Sequence, residues 1–537
     1  MSQVLQTQFV HCPACSATPG SPSGMSCGRP ARDAERETVF VFLDRTYVLC
    51  MLFTFRVGIL MIVGLALLAA SCTTSVAEPA ATPSTSVPPT TTTVPPSDGA
   101  LRNQLGYEFP SAPAVSTTGA LEPTARQALD DLWESLTTSI DTQAILAIGD
   151  SADARLTWLL ADVMRFVSNA TTREAIVSAW STLTGVDLST DPVVARSEWQ
   201  SMTDHLIAWD LPSHPEYRDF KGRLFTIVEP AWQPFFDDAD ATIDWRLTSW
   251  GGVLIDDRQL GDLQPCTRGC IPALDDPAVT SAAEGSWYPD ERVVFGVVVN
   301  DEARAYPKHQ MEVHEMINDT IGGRRVGIPY CTLCGSAQAY FTDSVPTDVE
   351  TPVLRTSGLL TRSNKVMFDL NTFSIFDTFT GEAITGPLRE RGVALKETTV
   401  VTSTWADWKE AHPDTTILAE DGGLGRTYSL DPLRGRDDDG PIFPIGDVDS
   451  RLPVQAEVVG VITPDGVPIA FPVDQLETEL TATTSITAEG VIVSRDGGGF
   501  IVTLPDETPL AAHQSFWFAW SQFHPTTKVW TPNLINP

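Results

Sequence analysis

Positive charge is scarce in this chain of 537 residues. Lysine and arginine together number 35, against 69 aspartate and glutamate residues, which gives a formal net charge of -34. The sequence contains no run of Lys and Arg residues that would form a basic segment. A strongly acidic surface repels phosphate groups, which argues against nucleic acid and anionic lipid as partners. The hydrophobic content of 42% is ordinary for a globular protein, which argues against wholesale disorder.

Cysteine is also scarce, and most of it lies near the N-terminus. Of nine cysteines, those beyond Cys72 number four. An even number in an oxidising compartment fits two disulfides, or one disulfide and a metal-bound pair, and the spacing does not choose among the pairings. The four are Cys266, Cys270, Cys331 and Cys334.

The segment Met51–Cys72 is typical of an export signal. Arg56 gives a positive start, and Val57–Ala70 forms an apolar stretch of signal-peptide length. The segment ends in Leu-Ala-Ala-Ser-Cys72, which resembles a bacterial lipobox, although Ala69 stands where such boxes usually carry Leu. We therefore predict lipidation of Cys72 and a membrane-anchored protein that faces outside the cytoplasm.

This interpretation divides the chain. Because signal peptides are N-terminal, residues 1–50 are predicted to be a misassigned extension; if that start is genuine, Phe40–Ala70 becomes a membrane anchor instead. Residues 73–100 are rich in Thr, Pro and Ser, which predicts an extended linker. The remaining predicted regions are an α-helical domain (101–250), a β-rich domain (251–455) and a degenerate second repeat (456–537).

The fold class predicted from periodicity is α+β. Leu121–Trp133 and Ser151–Phe166 carry apolar residues at helical spacing, which predicts an N-terminal α-helical array. From Val293 onward, short β-like runs are bounded by Gly, Pro, Asn and Asp, which predicts a mostly β domain.

The β-like part repeats itself in degenerate form. Val293–Pro307 is echoed by Val458–Pro472, and the motif Trp-x-x-Trp-x-x-x-His-Pro-x-Thr occurs at Trp405 and again at Trp517. Residues shared by both copies are predicted to be structural, and residues of the fuller first copy alone are the functional candidates. The shared residues include His412 and His524, and the candidates are Cys331, Cys334, His314 and Arg304.

The strongest candidate site is Cys331-Thr-Leu-Cys334-Gly335. It lies between the predicted strands Val326–Tyr330 and Ala337–Phe341, without the helix N-terminus that would lower a thiol pKa. A knuckle of the zinc-ribbon kind fits, with His314 as the nearest third ligand for zinc, copper or iron. A plain disulfide and a redox-active thiol pair are the alternatives.

Three further features complete the set of candidates. Cys266 and Cys270 are predicted to form a loop disulfide, or else to supply missing metal ligands. Ser363 and Asn364 lie in a segment typical of a hairpin turn, with no partner base for a catalytic serine. No hydrolase site is therefore predicted.

These motifs together resemble the bacterial family called domain of unknown function 3179. The resemblance runs from about Cys266 to Leu476, with Thr332 where the family usually has Pro and Phe376 where it usually has Trp. It implies an extracytoplasmic β-rich domain and no established activity. The matching pieces include Cys270–Asp275, Ala303–Pro307, His314–Gly323, Tyr330–Gly335, Ser363-Asn364, Gly381–Pro387 and His412-Pro413.

Two functions from different classes follow. The first is a cell-envelope lipoprotein in which Cys331 and Cys334, with His314, bind a transition metal or act as a thiol pair. The second is a non-catalytic envelope scaffold whose cysteines are structural disulfides and whose helical array binds a protein partner.

Overall fold

The structure is a computed structural model, and it describes residues 99–115, 119–262, 264–436 and 440–532. The predicted extension, export segment, Cys72 and nearly all of the linker lie outside the described residues. Within the described ranges, no helix combines the length and the apolar character that crossing a bilayer requires.

The first part of the fold is helical, as predicted. Helix α1 begins with Pro123, which suits the first turn because proline lacks the amide hydrogen that would be unsatisfied there. Asp141 accepts hydrogen bonds from the amides of Gln143 and Ala144 and so caps α2. Helix α3 packs against α4, α5 and α6. The helices are α1 (Pro123–Ser135), α2 (Thr142–Asp150), α3 (Thr157–Phe166), α4 (Ala170–Thr184), α5 (Glu198–Ala208), α6 (Tyr217–Val228) and α7 (Gln233–Phe236).

The rest of the chain is β-rich, with short helices between strands. The strands are β1 (Thr248–Trp250), β2 (Leu274–Asp275), β3 (Val279–Ser281), β4 (Val293–Val299), β5 (Glu302–Pro307), β6 (Met316–Ile321), β7 (Arg324–Cys331), β8 (Ser336–Ala337), β9 (Ala339–Phe341), β10 (Leu354–Thr361), β11 (Asn364–Asp369), β12 (Ile375–Phe376), β13 (Lys396–Thr398), β14 (Val401–Thr404), β15 (Thr416–Leu418), β16 (Glu457–Ile462), β17 (Pro468–Pro472), β18 (Ser485–Ala488), β19 (Val491–Asp496), β20 (Gly499–Thr503), β21 (Pro509–Leu510), β22 (Ala512–Phe516) and β23 (Lys528–Val529). The helices here are α8 (Lys308–His314), α9 (Gly386–Glu390), α10 (Trp405–Ala411), α11 (Val473–Glu479) and α12 (Trp517–Phe523).

The helical part and the β-rich part share one hydrophobic core. The indole of Trp232 donates to the carbonyl of Ser357 in β10 at 2.8 Å, and the rings of Phe235 and Phe368 lie 5.3 Å apart. Strand β1 follows the helices and pairs with β10 at the edge of the sheet β1-β10-β11-β12. The helices therefore pack directly on this sheet.

The two sequence segments that echo each other form sheets of the same strand order. In the first copy the order is β14-β4-β5-β15, and in the second copy it is β22-β16-β17-β23. Each copy contains an antiparallel hairpin, a short helix, an antiparallel edge strand, a tryptophan-bearing helix and a final parallel strand.

The repeated tryptophan motif has the same packing role in both copies. The indoles of Trp408 and Trp520 cover Gly296 and Gly460, each at the centre of its first strand. Each indole nitrogen donates at 2.9 Å to a threonine hydroxyl that ends the motif, Thr415 or Thr527. Both tryptophans are buried, so the shared residues form the two matching cores.

The insertions between the matching elements differ. The first copy carries β6 to β13 between α8 and β14, and the second carries the antiparallel sheet β18-β19-β20-β21 between α11 and β22. The β19–β20 hairpin packs on the first copy, where Asp496 contacts the imidazole of His412 at 3.0 Å. The two copies therefore have different surroundings, because the inserted segments differ and the insertion of the second copy packs on the first.

Candidate functional site

The two thiols of the predicted knuckle lie at one tight turn between β7 and β8. Cys331 is the last residue of β7 and pairs with Ser336, and the amide of Cys334 donates to the carbonyl of Cys331 at 3.2 Å. Gly335 has φ +59°, a left-handed conformation that glycine adopts readily. Both cysteines are free thiols, 2% and 0% exposed.

The tip of the β10–β11 hairpin lies against this turn. Arg362 and Ser363 have φ values of 46° and 70° and form the two-residue turn, so the predicted hairpin is present. The carbonyl of Ser363 accepts from the thiols of Cys331 and Cys334 at 3.8 and 3.5 Å. The amide of Lys365 donates to the sulfur of Cys331 at 3.4 Å.

A buried charge pair lies beside Cys331. Lys365 is 4% exposed, and its ammonium group donates to the carbonyl of Glu315 and lies 3.6 Å from the carboxylate of that residue. The hydroxyl of Thr332 also donates to this carboxylate at 3.4 Å. Burial lowers the pKa of Lys365 and raises the pKa of Glu315, because each loses the water that favours its charged form.

The two thiols differ in acidity. Burial raises the pKa of Cys331, but the hydrogen bonds from the Cys334 thiol and the Lys365 amide outweigh it, so the net pKa is lowered. The pKa of Cys334 is raised well above its usual value by burial and by the neighbouring Cys331. Cys331 is therefore the sulfur that ionises first, and a thiolate is the reactive form of cysteine.

Several polar groups around this turn lack hydrogen-bond partners. They are the hydroxyls of Ser336 and Ser363, the amide oxygen of Asn364, and both polar atoms of the Gln338 side chain, all buried. Most buried polar groups in proteins are paired, so such a concentration indicates a site rather than a packed core.

The second copy covers the thiols. Cys331 and Cys334 pack in one hydrophobic cluster with Phe379, Trp517 and Trp520. The amide of Phe516, in β22, donates to the carbonyl of Cys334 at 2.8 Å. Access to the sulfurs therefore depends on how tightly the second copy packs on the first.

The structure does not bring His314 to the sulfurs as a third ligand. Its two ring nitrogens bond instead to the carbonyl of Pro272 and the hydroxyl of Tyr428, both at 2.7 Å. Burial lowers the pKa of His314 to about 4, so it is neutral at pH 7. The predicted ligand set fails here because the position of His314 along the chain does not fix the direction of its ring.

The second cysteine pair forms the predicted loop disulfide, between Cys266 and Cys270. With Asp256 these cysteines form the one group of three metal-ligating residues found among the described residues, with ligand atoms within 4.8 Å of one another. Asp256 already accepts from Arg258 at 2.6 Å and from the amide of Ala273 at 2.8 Å, and Arg355 lies 3.8 Å away.

The remaining candidates divide between the site and the scaffold. Ser363 and Asn364 belong to the hairpin at the thiols, as described above. Arg304 does not: it forms ion pairs with Asp319 at 2.7 Å and Glu302 at 2.6 Å. This network joins β5 to β6, which indicates a structural role.

Sequence reasoning missed the charge pair at the thiols. Glu315 lies within the matching segment His314–Gly323, and Lys365 directly follows the matching pair Ser363-Asn364. The available signal was a lysine that opens the apolar run Val-Met-Phe of a fully buried strand. A buried lysine requires a partner, and that requirement predicts a carboxylate near it.

Comparison with known proteins supports the resemblance. Residues 268–507 match the family model described as Protein of unknown function (DUF3179), which confirms the predicted family. No curated protein matches the chain. No solved structure matches it either.

Proposed function

We propose that this chain, whose residues 268–507 form a DUF3179 domain, is an extracytoplasmic protein in which Cys331 and Cys334 act as a thiol–disulfide redox couple. The observation that carries the proposal is the geometry of two free, buried thiols at one turn, which share the Ser363 carbonyl while the Lys365 amide donates to Cys331 alone. One lowered and one raised thiol pKa is the arrangement that lets the first sulfur attack and the second resolve.

The reaction balances with an organic disulfide as oxidant. The Cys331 thiolate attacks one sulfur of the disulfide, whose S–S bond breaks and releases one thiolate. The Cys334 sulfur then attacks Cys331 in the mixed disulfide and releases the second thiolate. Two electrons pass from the dithiol to the oxidant, and the two protons of the dithiol go to the two released thiolates.

The neighbouring charges suit this step. The ammonium of Lys365 is attracted to negative charge on Cys331, and the carboxylate of Glu315 holds the ammonium in place while itself raising the pKa of Cys331. Because both sulfurs are buried under aromatic side chains, exchange requires the cover to open, so reaction is slow in the folded protein.

The test is the alkylation rate of each sulfur in single-cysteine variants. In Cys334→Ser, where the serine hydroxyl can still donate to Cys331, we expect iodoacetamide to modify Cys331 at least tenfold faster at pH 7 than it modifies Cys334 in Cys331→Ser. Opening of the cover is common to both variants, so the ratio reports the difference in thiolate fraction that persists without the Cys331 charge, which is absent from Cys331→Ser. Peptide mass mapping locates the modified residue, and equal rates would contradict the proposal.

The extracytoplasmic location and the lipid anchor are parts of the same proposal. They rest on the export segment Met51–Cys72 and its lipobox-like end, together with the extracytoplasmic character that the family resemblance implies. A loop disulfide at Cys266–Cys270 suits an oxidising compartment. The acidic surface argues against nucleic acid as a partner, and a protein partner for the helical array remains the basis of the scaffold alternative.

A transition-metal site for zinc, copper or iron is the second candidate function. It is favoured by the convergence of Asp256, Cys266 and Cys270, because thiolate and carboxylate suit these metals. Against it, two guanidinium groups already neutralise Asp256, and the metal would need both cysteines reduced. Elemental analysis of the reduced chain, with Cys266→Ser as the matched variant, distinguishes this candidate from the redox couple.

A further inference from the structure

A cavity of about 90 Å³ lies beside the second copy, and two of its lining side chains, Phe379 and Trp520, also belong to the hydrophobic cluster of the thiols. This volume suits only a small ligand or the end group of a larger one, since most small-molecule sites enclose roughly 300–1,000 Å³. Phe379 and Trp520 form aromatic walls, and the polar side chains that line it are Glu397, His513 and His524. We call it the second-copy cavity.

Two imidazole nitrogens in this cavity have no partner. The Nε2 atoms of His513 and His524 are buried and lack a hydrogen bond. His513 is 3% exposed, and its Nδ1 lies 2.9 Å from the carboxylate of Glu397. The ring of His513 is therefore fixed by Glu397, and its free nitrogen is left for another group.

The first copy contains the same tryptophan and histidine motif, and there the Nε2 atom of the histidine has a hydrogen-bond partner. His412 is the equivalent of His524: the backbone angles are φ -123°, ψ 74° and φ -127°, ψ 66°. The ring centroids of the two histidines lie 4.1 and 4.3 Å from those of their tryptophans, with the ring planes tilted by 38° and 47°. The Nε2 of His412 contacts the carboxylate of Asp496 at 3.0 Å, so the molecule itself shows a carboxylate bound to this motif.

The second-copy cavity is open because no equivalent hairpin fills it. The β19–β20 hairpin brings Asp496 to the first copy, whereas in the second copy Phe379 stacks on Phe523 at 4.4 Å beside the cavity. Strand register places His513 opposite Gly460, where the first copy has Val401 opposite Gly296. The second copy therefore adds an imidazole, His513, which contacts Glu397, while His524 has no carboxylate equivalent to Asp496 among the described residues.

We propose that the second-copy cavity binds a small organic carboxylate together with a proton: one oxygen accepts a hydrogen bond from Nε2 of His524, and the proton lies between the other oxygen and Nε2 of His513, whose Nδ1–H donates to Glu397. The aromatic walls favour a carboxylate with an apolar body. The proposal uses neither sulfur, although Phe379 and Trp520 belong both to this cavity and to the cover of the thiols.

Binding should tighten as the pH falls. Burial and the neighbouring His513 lower the pKa of His524 to about 4 in the empty cavity, and a bound anion would raise it. The titratable side chains that line the cavity are Glu397, His513 and His524, and Glu397 already faces His513. A bound carboxylate therefore gains from protonation of His524, which makes proton uptake accompany binding.

The experiment is calorimetric titration of the full chain with benzoate, with benzamide as the uncharged isostere. We expect benzoate to bind at least tenfold more tightly than benzamide, and more tightly at pH 6 than at pH 8. His524→Gln and, independently, His513→Gln should each weaken benzoate binding at least tenfold. His412→Gln, the matched control whose histidine already has its carboxylate, should leave benzoate binding unchanged.

Three outcomes would overturn the proposal. The first is absence of benzoate binding, and the second is equal affinity for benzoate and benzamide. The third is binding of Zn²⁺ that His524→Gln abolishes and that weakens as the pH falls, without benzoate binding, because imidazole ligates metals through its neutral form. Thermal unfolding of each variant verifies that it is folded.

Discussion

Replacement of Lys365 by methionine is expected to lower the free energy of unfolding by about 3–5 kcal/mol, the usual cost of removing one partner of a buried ion pair. Methionine fills similar volume but leaves the Glu315 carboxylate without its cation, 16% exposed. Chemical denaturation of wild type and variant measures the difference. The control is Lys528→Met, whose pair with Glu489 is exposed and should cost at most about 1 kcal/mol.

The pH dependence of this loss has a definite sign. Burial raises the pKa of Glu315 above its ordinary value of 4.5, and loss of Lys365 raises it further. Ionisation of Glu315 in the folded variant then costs stability, so the deficit is largest above the raised pKa and shrinks as the pH falls toward 4.5. Glu315→Gln in the same chain should recover most of the loss. A deficit independent of pH would contradict the pairing.

The second large effect concerns the two glycines under the repeated tryptophans. A Cβ at Gly296 or Gly460 would lie under 3.0 Å from the indole of Trp408 or Trp520. Both indoles are buried and rigid, so alanine at either position is expected to cost about 3 kcal/mol of unfolding free energy through overpacking. Denaturant unfolding of each variant provides the measurement.

Gly119→Ala is the matched control for these glycine variants. A Cβ there would meet nothing within 4 Å, so the free energy of unfolding should change by less than about 1 kcal/mol. Similar losses at Gly296 and Gly460 are expected because the two copies pack alike. A large loss at one glycine with none at the other would show that the copies are not equivalent in their cores.

The parts of the fold that depend on local pattern could be predicted from the sequence. Helical spacing behind Pro123 predicted α1, and the turn residues around Cys331 predicted a bend between strands. Self-comparison predicted the repeat, which appears as two sheets of the same order with one tryptophan helix each. These features are set by residues close together in the chain.

The direction of side chains across distant segments could not be predicted. His314 bonds to Tyr428, which lies 114 residues further along the chain, and that partner has no local signature. Lys365 and Glu315 are 50 residues apart, and their pairing follows only from the packing of the β10–β11 hairpin on the end of α8. The sequence predicted that Cys331 and Cys334 lie at a turn between strands, but it did not predict which side chains surround them.

The repeat also gives the second copy two roles that its weak similarity to the first did not indicate. Its β22 and α12 cover the thiols, and its β19–β20 hairpin supplies the carboxylate that binds His412. The second copy has no cysteine of its own, yet it contributes to the surroundings of the first copy's cysteines. It forms the cover of the site that the first copy carries.

The most direct test of the redox couple is equilibration of the full chain in dithiothreitol buffers of graded redox composition, followed by acid quench, alkylation and peptide mass analysis. We expect Cys331 and Cys334 to interconvert between dithiol and disulfide in a single two-electron transition, with about 30 mV for each tenfold change in the equilibrium constant. Persistence of both thiols in free form across the whole range, including after unfolding and refolding in oxidising buffer, would contradict the account.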